Sequence, residues 1–336
     1  MSGEAPKLSV VVPSYEGGAR VRRLLSQLAS QTLRPDAFEV VVVDDGSPTP
    51  LWEALDRADW PFALSVLRQQ NAGAAAARHL GATRSRGRIL LFVDDDMEVP
   101  EDFVESHAAH HTGEEKRVLL GRMRAGAGGS GLMERWHQLH LDRKAAQFSA
   151  DRGAIRGNSM FSGNVSMRRE DYFAAGGFDA TLRRGHDMEL GLRLEKIGAR
   201  FEFSEKAWSR HAPDPHGLPW WRERAMLYGR IDRRIWRKHP EARHASPWRW
   251  LRETNPLIRP FIALALRAPE VAKVVGSAVL RAAHGFDAVR LDAVALKAVT
   301  VAYTMDYFRG VRAEIGPLEA ALAEAGEFQA LGATAR

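Results

Sequence analysis

Ile89-Leu90-Leu91-Phe92-Val93-Asp94-Asp95-Asp96 is a five-residue apolar run that stops on three carboxylates. A short apolar run with a polar boundary reads as a strand covered on both faces, as in a parallel sheet. The pattern recurs upstream. Residues 8–12 read as a strand ending at Pro13-Ser14-Tyr15, residues 40–43 as a second ending at Asp44-Asp45-Gly46-Ser47, and residues 63–67 as a third. Helical stretches lie between them: 20–31, with Val21, Leu24, Leu25 and Leu28 at helical spacing, then 51–58, then the alanine-rich 74–83. This alternation predicts an α/β fold, a mainly parallel sheet flanked by helices. Such sheets bind ligands beyond the carboxyl ends of their strands. Three of these strands therefore deliver Pro13-Ser14-Tyr15, Asp44-Asp45 and the Asp triplet to one edge.

Downstream the rhythm loosens. The sequence predicts a glycine-rich loop at 126–131, a helix over 132–146, a strand over 161–167 followed by Arg168-Arg169, and a turn at Gly176-Gly177-Phe178-Asp179. A helix over 187–197 stops at Gly198, and 201–203 is a short strand. From Trp220 onward the pattern is helical, with breaks at Pro240, Pro247, Pro256, Pro260 and Pro269, and the last residues are expected to fray. The expected division is an α/β domain over 1–215 and a helical C-terminal extension over 216–336. No internal repeat is visible.

The chain has 336 residues, enough for a sizeable core, with 48 Lys and Arg against 42 Asp and Glu. It has no Cys, which excludes a disulfide framework, thiolate zinc sites and a catalytic Cys, and fits a reducing compartment. Residues 1–8 carry neither a basic n-region nor a long apolar core, so no signal peptide is expected. The longest apolar runs, such as 261–266, fall far short of the ~20 residues a spanning helix needs. Only 8 of the basic residues are Lys, a bias that codon usage in a GC-rich genome explains. Residues 206–260 hold 13 Lys and Arg against 5 Asp and Glu, together with six of the nine Trp: Trp208, Trp220, Trp221, Trp236, Trp248 and Trp250. Internal packing of the Trp with solvated Arg is the favoured reading. Contact with an anionic membrane is second. Nucleic acid is a distant third, because no recognised binding motif accompanies the charge.

Three adjacent carboxylates repel one another unless a cation neutralises them. Oxygen-rich clusters favour Mg²⁺ or Mn²⁺, which commonly bridge to phosphates; the other reading is a solvated acidic turn, and the strand end opposite a second acidic pair favours the metal. Asp44-Asp45-Gly46-Ser47 is either an ordinary turn or a turn whose carboxylate accepts from a base or ribose. Asn71-Ala72-Gly73 precedes a helix, where free N–H groups suit an anion, and Arg78 further along that helix either reaches a diphosphate or is an exposed helix Arg. Asp187 opens a helix, either as a charge complementing the dipole or as a general base. His211 is a surface histidine or a metal ligand; chemistry alone favours the former. No Gly-x-Gly-x-x-Gly follows the first strand, which argues against a dinucleotide-dependent dehydrogenase.

Six stretches, in order over residues 8–211, resemble the family 2 glycosyltransferases, inverting enzymes with the GT-A nucleotide-sugar fold. They are Ser9-Val10-Val11-Val12-Pro13-Ser14-Tyr15, Val43-Asp44-Asp45-Gly46-Ser47, Asn71-Ala72-Gly73 with Ala77-Arg78, Phe92-Val93-Asp94-Asp95-Asp96, Gly176-Gly177-Phe178-Asp179, and Asp187-Met188-Glu189-Leu190 with Arg193-Leu194. The resemblance implies that Pro13, Tyr15 and Asp45 line a base pocket, with Asn71 beside it. It implies that Arg78 meets the diphosphate or ribose, and that Asp94 and Asp96, with Asp95 sharing the work, bind nucleotide and a divalent metal. Asp187 takes the place of the catalytic base, His211 that of a metal-binding His, and Gly177, Phe178 and Asp179 border the acceptor pocket. Two positions depart from the family pattern: His186 stands where an acidic residue usually precedes the base, and His79 where an Asn is common. The Gln-x-x-Arg-Trp motif of processive synthases is absent after Asp187.

The implied activity is metal-dependent transfer of a hexosyl or N-acetylhexosaminyl group from a nucleotide-sugar, UDP first by family habit, to a hydroxyl of a glycan or lipid-linked acceptor. The implied setting is polysaccharide or cell-envelope synthesis in the cytoplasm, with peripheral contact to the inner membrane face. The alternatives are nucleotidyl transfer on a similar sheet and a non-catalytic nucleotide-sugar binder. Sugar, acceptor, linkage and oligomeric state are not set by the sequence.

Overall fold

The computed structural model describes residues 5–55, 60–125, 131–151, 153, 155–211 and 217–331. Most of the expected glycine-rich loop at 126–131, the end of the helix expected over 51–58, the 215/216 boundary and the fraying C-terminus lie outside these residues. The chain divides into two compact units, Met1–Gly128 with His140–Pro213, and Gly129–Leu139 with Asp214–Arg336.

The first unit holds eight strands: β1 (Leu8–Ser14), β2 (Phe38–Asp44), β3 (Ala63–Arg68), β4 (Ile89–Val93), β5 (Met97–Glu98), β6 (Arg117–Ala125), β7 (Asn164–Arg168) and β8 (Arg200–His211). They form one sheet in the order β3-β2-β1-β4-β7-β6-β8-β5. Neighbours from β3 to β4 are parallel, as are β6 and β8, whereas β7 runs antiparallel to both β4 and β6, and β5 antiparallel to β8. The sheet is thus mixed and mostly parallel. Its helices are α1 (Gly18–Ala29), α2 (Leu51–Ala54), α3 (Ala74–Arg84), α4 (Phe103–His110), the later part of α5 (Leu132–Ala150), α6 (Arg169–Ala174) and α7 (His186–Lys196).

Alternation along each strand splits the core in two. Val10, Val12, Val40, Val42, Leu91 and Val93 face one side and pack with Leu24, Leu25 and Leu28 of α1 and Phe103 of α4. Val11, Leu90 and Phe92 face the other, with Ala75 and Ala82 of α3, Tyr172, and Leu190 and Leu194 of α7. A side chain is excluded at Gly81 of α3, where a Cβ would lie 2.5 Å from Val11 Cγ1, so that helix lies close on the sheet. Burial on both faces explains why these strands read as unbroken apolar runs.

Several elements escaped the sequence reading: β5, β6, α4 and α6, together with the full length of β8, expected only over 201–203. Strand β7 begins later than the expected 161–167. Behind β7 lies a buried polar chain. His107 Nε2 lies 2.9 Å from Asn164 Oδ1 and His107 Nδ1 lies 2.8 Å from Ser166 Oγ, which in turn lies 2.8 Å from His111 Nε2. The directions follow from chemistry: the Asn oxygen only accepts, so His107 donates from Nε2, Ser166 donates to Nδ1, and His111 donates to Ser166. The amide nitrogen of Asn164 donates to Ala207 O and Ser209 Oγ on β8, both at 2.9 Å. Burial drives His107 and His111 each down to about 3, so both are neutral.

The second unit is helical: the first turns of α5, then α8 (Leu218–Lys238), α9 (Trp250–Glu253), α10 (Arg259–Arg267), α11 (Pro269–Ala288), α12 (Asp292–Ile315) and α13 (Leu318–Leu331). Pro260 and Pro269, expected as breaks, stand at helix starts, where the missing N–H costs nothing. Helices α8 and α12 meet backbone to backbone: a Cβ on Gly229 would lie 1.9 Å from Tyr307 O, and one on Gly310 2.0 Å from Met226 O. None of the six Trp of the basic window is exposed, and Trp221 and Trp248 are fully in core clusters. Many of its Arg are paired, Arg222 with the buried Asp306, Arg233 with Glu324 and Arg234 with Glu314. Among the described residues no helix is long and apolar enough to cross a membrane.

Candidate active site

The ends of β1, β2 and β4 lie side by side, and each ends in a different use of polar groups. After β2, Asp44 is wholly buried and structural. Its carboxylate accepts from Ser47 N at 2.8 Å and Leu51 N at 3.2 Å, closing the turn into α2. Asp45 reaches the other way. It accepts from Gln69 Nε2 at 2.7 Å, Ala72 N at 2.9 Å and Gly73 N at 2.8 Å. Two of the N–H groups before α3, expected to be open to an anion, are therefore satisfied by the protein's own carboxylate. This fixes the Asn71-Ala72-Gly73 loop, with Asn71 exposed, against the end of β2. Gly46 between them has φ +81°, and a Cβ there would lie 2.7 Å from Asn71 N. Pro13 is buried in β1, whereas Tyr15 just beyond it is 45 % exposed and available to stack on a ring.

The Asp triplet fans out in three directions. Asp94 pairs with Arg78 of α3. Asp95 accepts from Ser14 Oγ and from Arg20 Nη2, the latter at 3.3 Å. Burial pushes Asp95 up to about 6 against the pull of Ser14 and Arg20. Asp96 Oδ2 lies 3.1 Å from His211 Nε2 at the end of β8. Burial raises the Asp96 carboxyl, but the hydrogen bond and charge of His211 more than reverse it and hold it below its ordinary value. The β5–β8 pairing, Met97 opposite His211, brings these two together from 115 residues apart. Of the three residues expected to bind metal, the fold joins Asp96 and His211 and turns Asp94 to Arg78. Among the described residues no three His, Asp or Glu side chains cluster as a ready-made metal cage. The other oxygen of Asp96, Oδ1, is buried and has no partner. A carboxylate oxygen so placed beside an imidazole suits a hard divalent cation whose remaining positions are filled by phosphate oxygens and water.

Opposite stands α7. Its first residues are His186 and Asp187, after Gly185 in the left-handed region. Asp187 is half-buried and its Oδ1 accepts from Met188 N at 2.9 Å. Arg193, two turns on, donates from Nε to both oxygens of the buried Glu189 at 3.0 Å, and from Nη2 to Gly177 O at 2.6 Å, while Nη1 donates to Ala175 O. The Gly176-Gly177 turn, both residues at positive φ, is thereby clamped to the helix that carries Asp187. Phe178 is buried, edge-on to Phe92 at 5.1 Å, and supports the site from within the core; Asp179 accepts from Thr181 N and Oγ1 at 3.0 and 2.6 Å and closes its own turn. Tyr172 OH accepts from Phe178 N at 3.0 Å and donates to His79 Nδ1 at 2.9 Å. His79, where the family pattern has an Asn, is thus a second support of this turn.

Sequence reasoning gave no task to Arg20, Gln69, His79 or Tyr172. Arg193 carried a readable signal, the Glu-x-x-x-Arg spacing that places Glu189 and Arg193 on one helical face. The others meet their partners only through the tertiary fold.

A mixed sheet with acidic strand ends facing a helix-borne carboxylate defines a GT-A type α/β protein. The Glycosyl transferase family 2 model matches residues 9–176, and the chain belongs to that family. It is 29 % identical over 239 residues to validoxylamine A glucosyltransferase of Streptomyces hygroscopicus subsp. limoneus, covering 63 % of this chain and 53 % of that protein. It is 31 % identical over 128 residues to the poly(ribitol-phosphate) beta-N-acetylglucosaminyltransferase TarS of Staphylococcus aureus, covering 38 % of this chain and 22 % of that one. The chain thus spans about half the length, or less, of these curated relatives. Among solved structures, Mannosyltransferase PcManGT from Pyrobaculum calidifontis, in complex with GDP-Man and Mn2+, superposes with a TM-score of 0.58 at 18 % identity over 89 % of this chain and 87 % of its own. S. aureus TarS 1-349 in complex with UDP superposes at 0.51 and 19 %, over 91 % of this chain and 90 % of its own.

Proposed function

We propose that the protein is an inverting, metal-dependent glycosyltransferase that moves a sugar from a nucleoside-diphosphate donor, UDP-linked first, to a hydroxyl of a glycan or lipid-linked acceptor. The observation that carries this reading is the junction at Arg78, whose guanidinium meets Asp94 at the end of β4 and His186 beside Asp187 on α7. One residue thus spans from the nucleotide edge of the sheet to the base.

The base and ribose rest at Tyr15 and the Asp45-braced loop, with the diphosphate toward Arg78. Asp187 takes the proton from the acceptor hydroxyl. That oxygen bonds to the anomeric carbon as the bond from that carbon to the diphosphate oxygen breaks, its electron pair leaving with the diphosphate. Attack from the side opposite the leaving group inverts the configuration, and Arg78 stabilises the charge that develops. Asp96 and His211 would hold a divalent metal, Mn²⁺ or Mg²⁺, which when bound supplies further positive charge to the departing diphosphate. Solved structures of similar fold in complex with UDP, UDP-GlcNAc or GDP-Man support this donor class. Membrane contact, if the acceptor is lipid-linked, rests on the exposed Arg of the second unit, since its Trp are turned inward. The Asp187→Asn variant tests the reading: it loses turnover and keeps nucleotide binding.

A further inference from the structure

Arg78 is 4 % exposed, and two of its three nitrogens are held by the protein. Nη2 pairs with Asp94 and Nη1 lies 2.9 Å from His186 Nε2. A guanidinium only donates, so His186 Nε2 must accept, and the single ring proton sits on Nδ1. The imidazole is neutral: burial, then the Arg78 charge, lowers it to about 4. Its ring lies edge-on to Phe178 at 5.5 Å, and Ser162 Oγ is 3.5 Å from Nε2.

The Nδ1–H of His186 is buried and has no partner among the described residues. An unsatisfied buried donor is unfavourable. An apolar ring of similar size would remove it but would leave the buried Arg78 Nη1 without its acceptor, so what the imidazole supplies here is the lone pair on Nε2 that faces Arg78.

We propose that His186 is a positioning residue for the transfer reaction: through Nε2 it fixes the Arg78 guanidinium, and with it the bound diphosphate, relative to the adjoining Asp187. The leaving group and the base are then registered by two consecutive residues on one helix turn. This rests on the reading of the site as a nucleotide-sugar transferase. Misplacement of about 1 Å at such a site costs up to about 100-fold in rate.

The test compares wild type, His186→Phe and His186→Gln, whose amide oxygen can accept from Arg78. The readouts are the thermal midpoint, UDP affinity, and kcat and KM for release of UDP from the UDP-sugar that wild type uses. ¹⁵N NMR of the unliganded wild type reads the tautomer. The expected result is a folded H186F with a midpoint at or below that of wild type, a kcat lowered about 10- to 100-fold with KM changed far less, recovery of most of the rate in H186Q, and a protonated Nδ1. A kcat for H186F within twofold of wild type overturns the proposal, as does H186Q no better than H186F, an Nε2–H tautomer, or an H186F that does not fold. If wild type turns over no nucleotide-sugar, the transferase reading itself fails and this proposal with it. An active wild type with an equally active H186F removes only the role of His186.

Discussion

Acidification should unfold the first unit through its buried histidines. His107 and His111 form a neutral chain with Ser166 and Asn164, and burial lowers both from 6.5 to about 3. In the unfolded chain they protonate below their ordinary value; in the fold they stay neutral almost to pH 3. Their contribution is therefore complete above pH 6.5 and is lost as pH falls from there toward 3. At pH 5 each imidazole is 1.5 units below its unfolded midpoint, a loss of about 2 kcal/mol apiece and about 4 for the two. His186, lowered to about 4, adds about 2 of the same sign. Asp95, raised to about 6, acts oppositely, because the fold binds its proton more tightly, and returns about 1 by pH 5. The loss from these four groups between pH 7.5 and 5 is then about 5 kcal/mol, a large share of a domain's stability, and His79, also lowered by burial, acts in the same direction. Urea unfolding of the full chain at the two pH values measures it, and NMR titration of the imidazole C–H signals assigns it. Equal stability at both values, or a folded-state midpoint for His107 or His111 between 6 and 7, would show that these imidazoles are not held neutral by burial.

Arg193→Met should cost about 3 kcal/mol, because it removes the guanidinium paired with the buried Glu189, and a second change, Glu189→Leu, should recover much of that in urea unfolding. Full additivity of the two losses contradicts the pairing. Gly46→Ala should cost about 1–3 kcal/mol, since its φ is +81° and the new methyl meets Asn71 N, and should weaken UDP binding measured by calorimetry through the shifted 69–73 loop. Unchanged stability and affinity would place that turn outside the nucleotide site.

The half of the fold that was legible is the half buried on both faces. β1, β2 and β4 are continuous apolar runs because helices cover them above and below. β6 and β8 are half-covered and interleave charges, Arg117, Arg122 and Arg124 in one and Glu202, Glu205 and Lys206 in the other, so neither shows an apolar run. The register break between Gly121 and Met123 further blurs the alternation of β6. α4 carries its buried polar residue, His107, where a helix usually shows a Leu. In the site, Asp187, Arg78 and the Asp triplet stood out because motif spacing is local. The pairings did not: Asp45 with the 72–73 amides, Asp96 with His211, and Arg78 with His186, which is 108 residues away, exist only once the sheet has set the strand ends side by side.

Whether Asp187 is the base of a nucleotide-sugar transferase is read by pairing two measurements on Asp187→Asn. Calorimetry with a panel of UDP-, GDP- and dTDP-sugars, with and without Mn²⁺, reads binding, and release of nucleoside diphosphate from the bound donor reads turnover. With Asp187 as the base, one donor binds both proteins in a metal-dependent way within about twofold, and turnover in D187N is lower by about 10²–10⁴. Turnover retained in D187N, or binding and turnover lost together, would show that Asp187 is not the base.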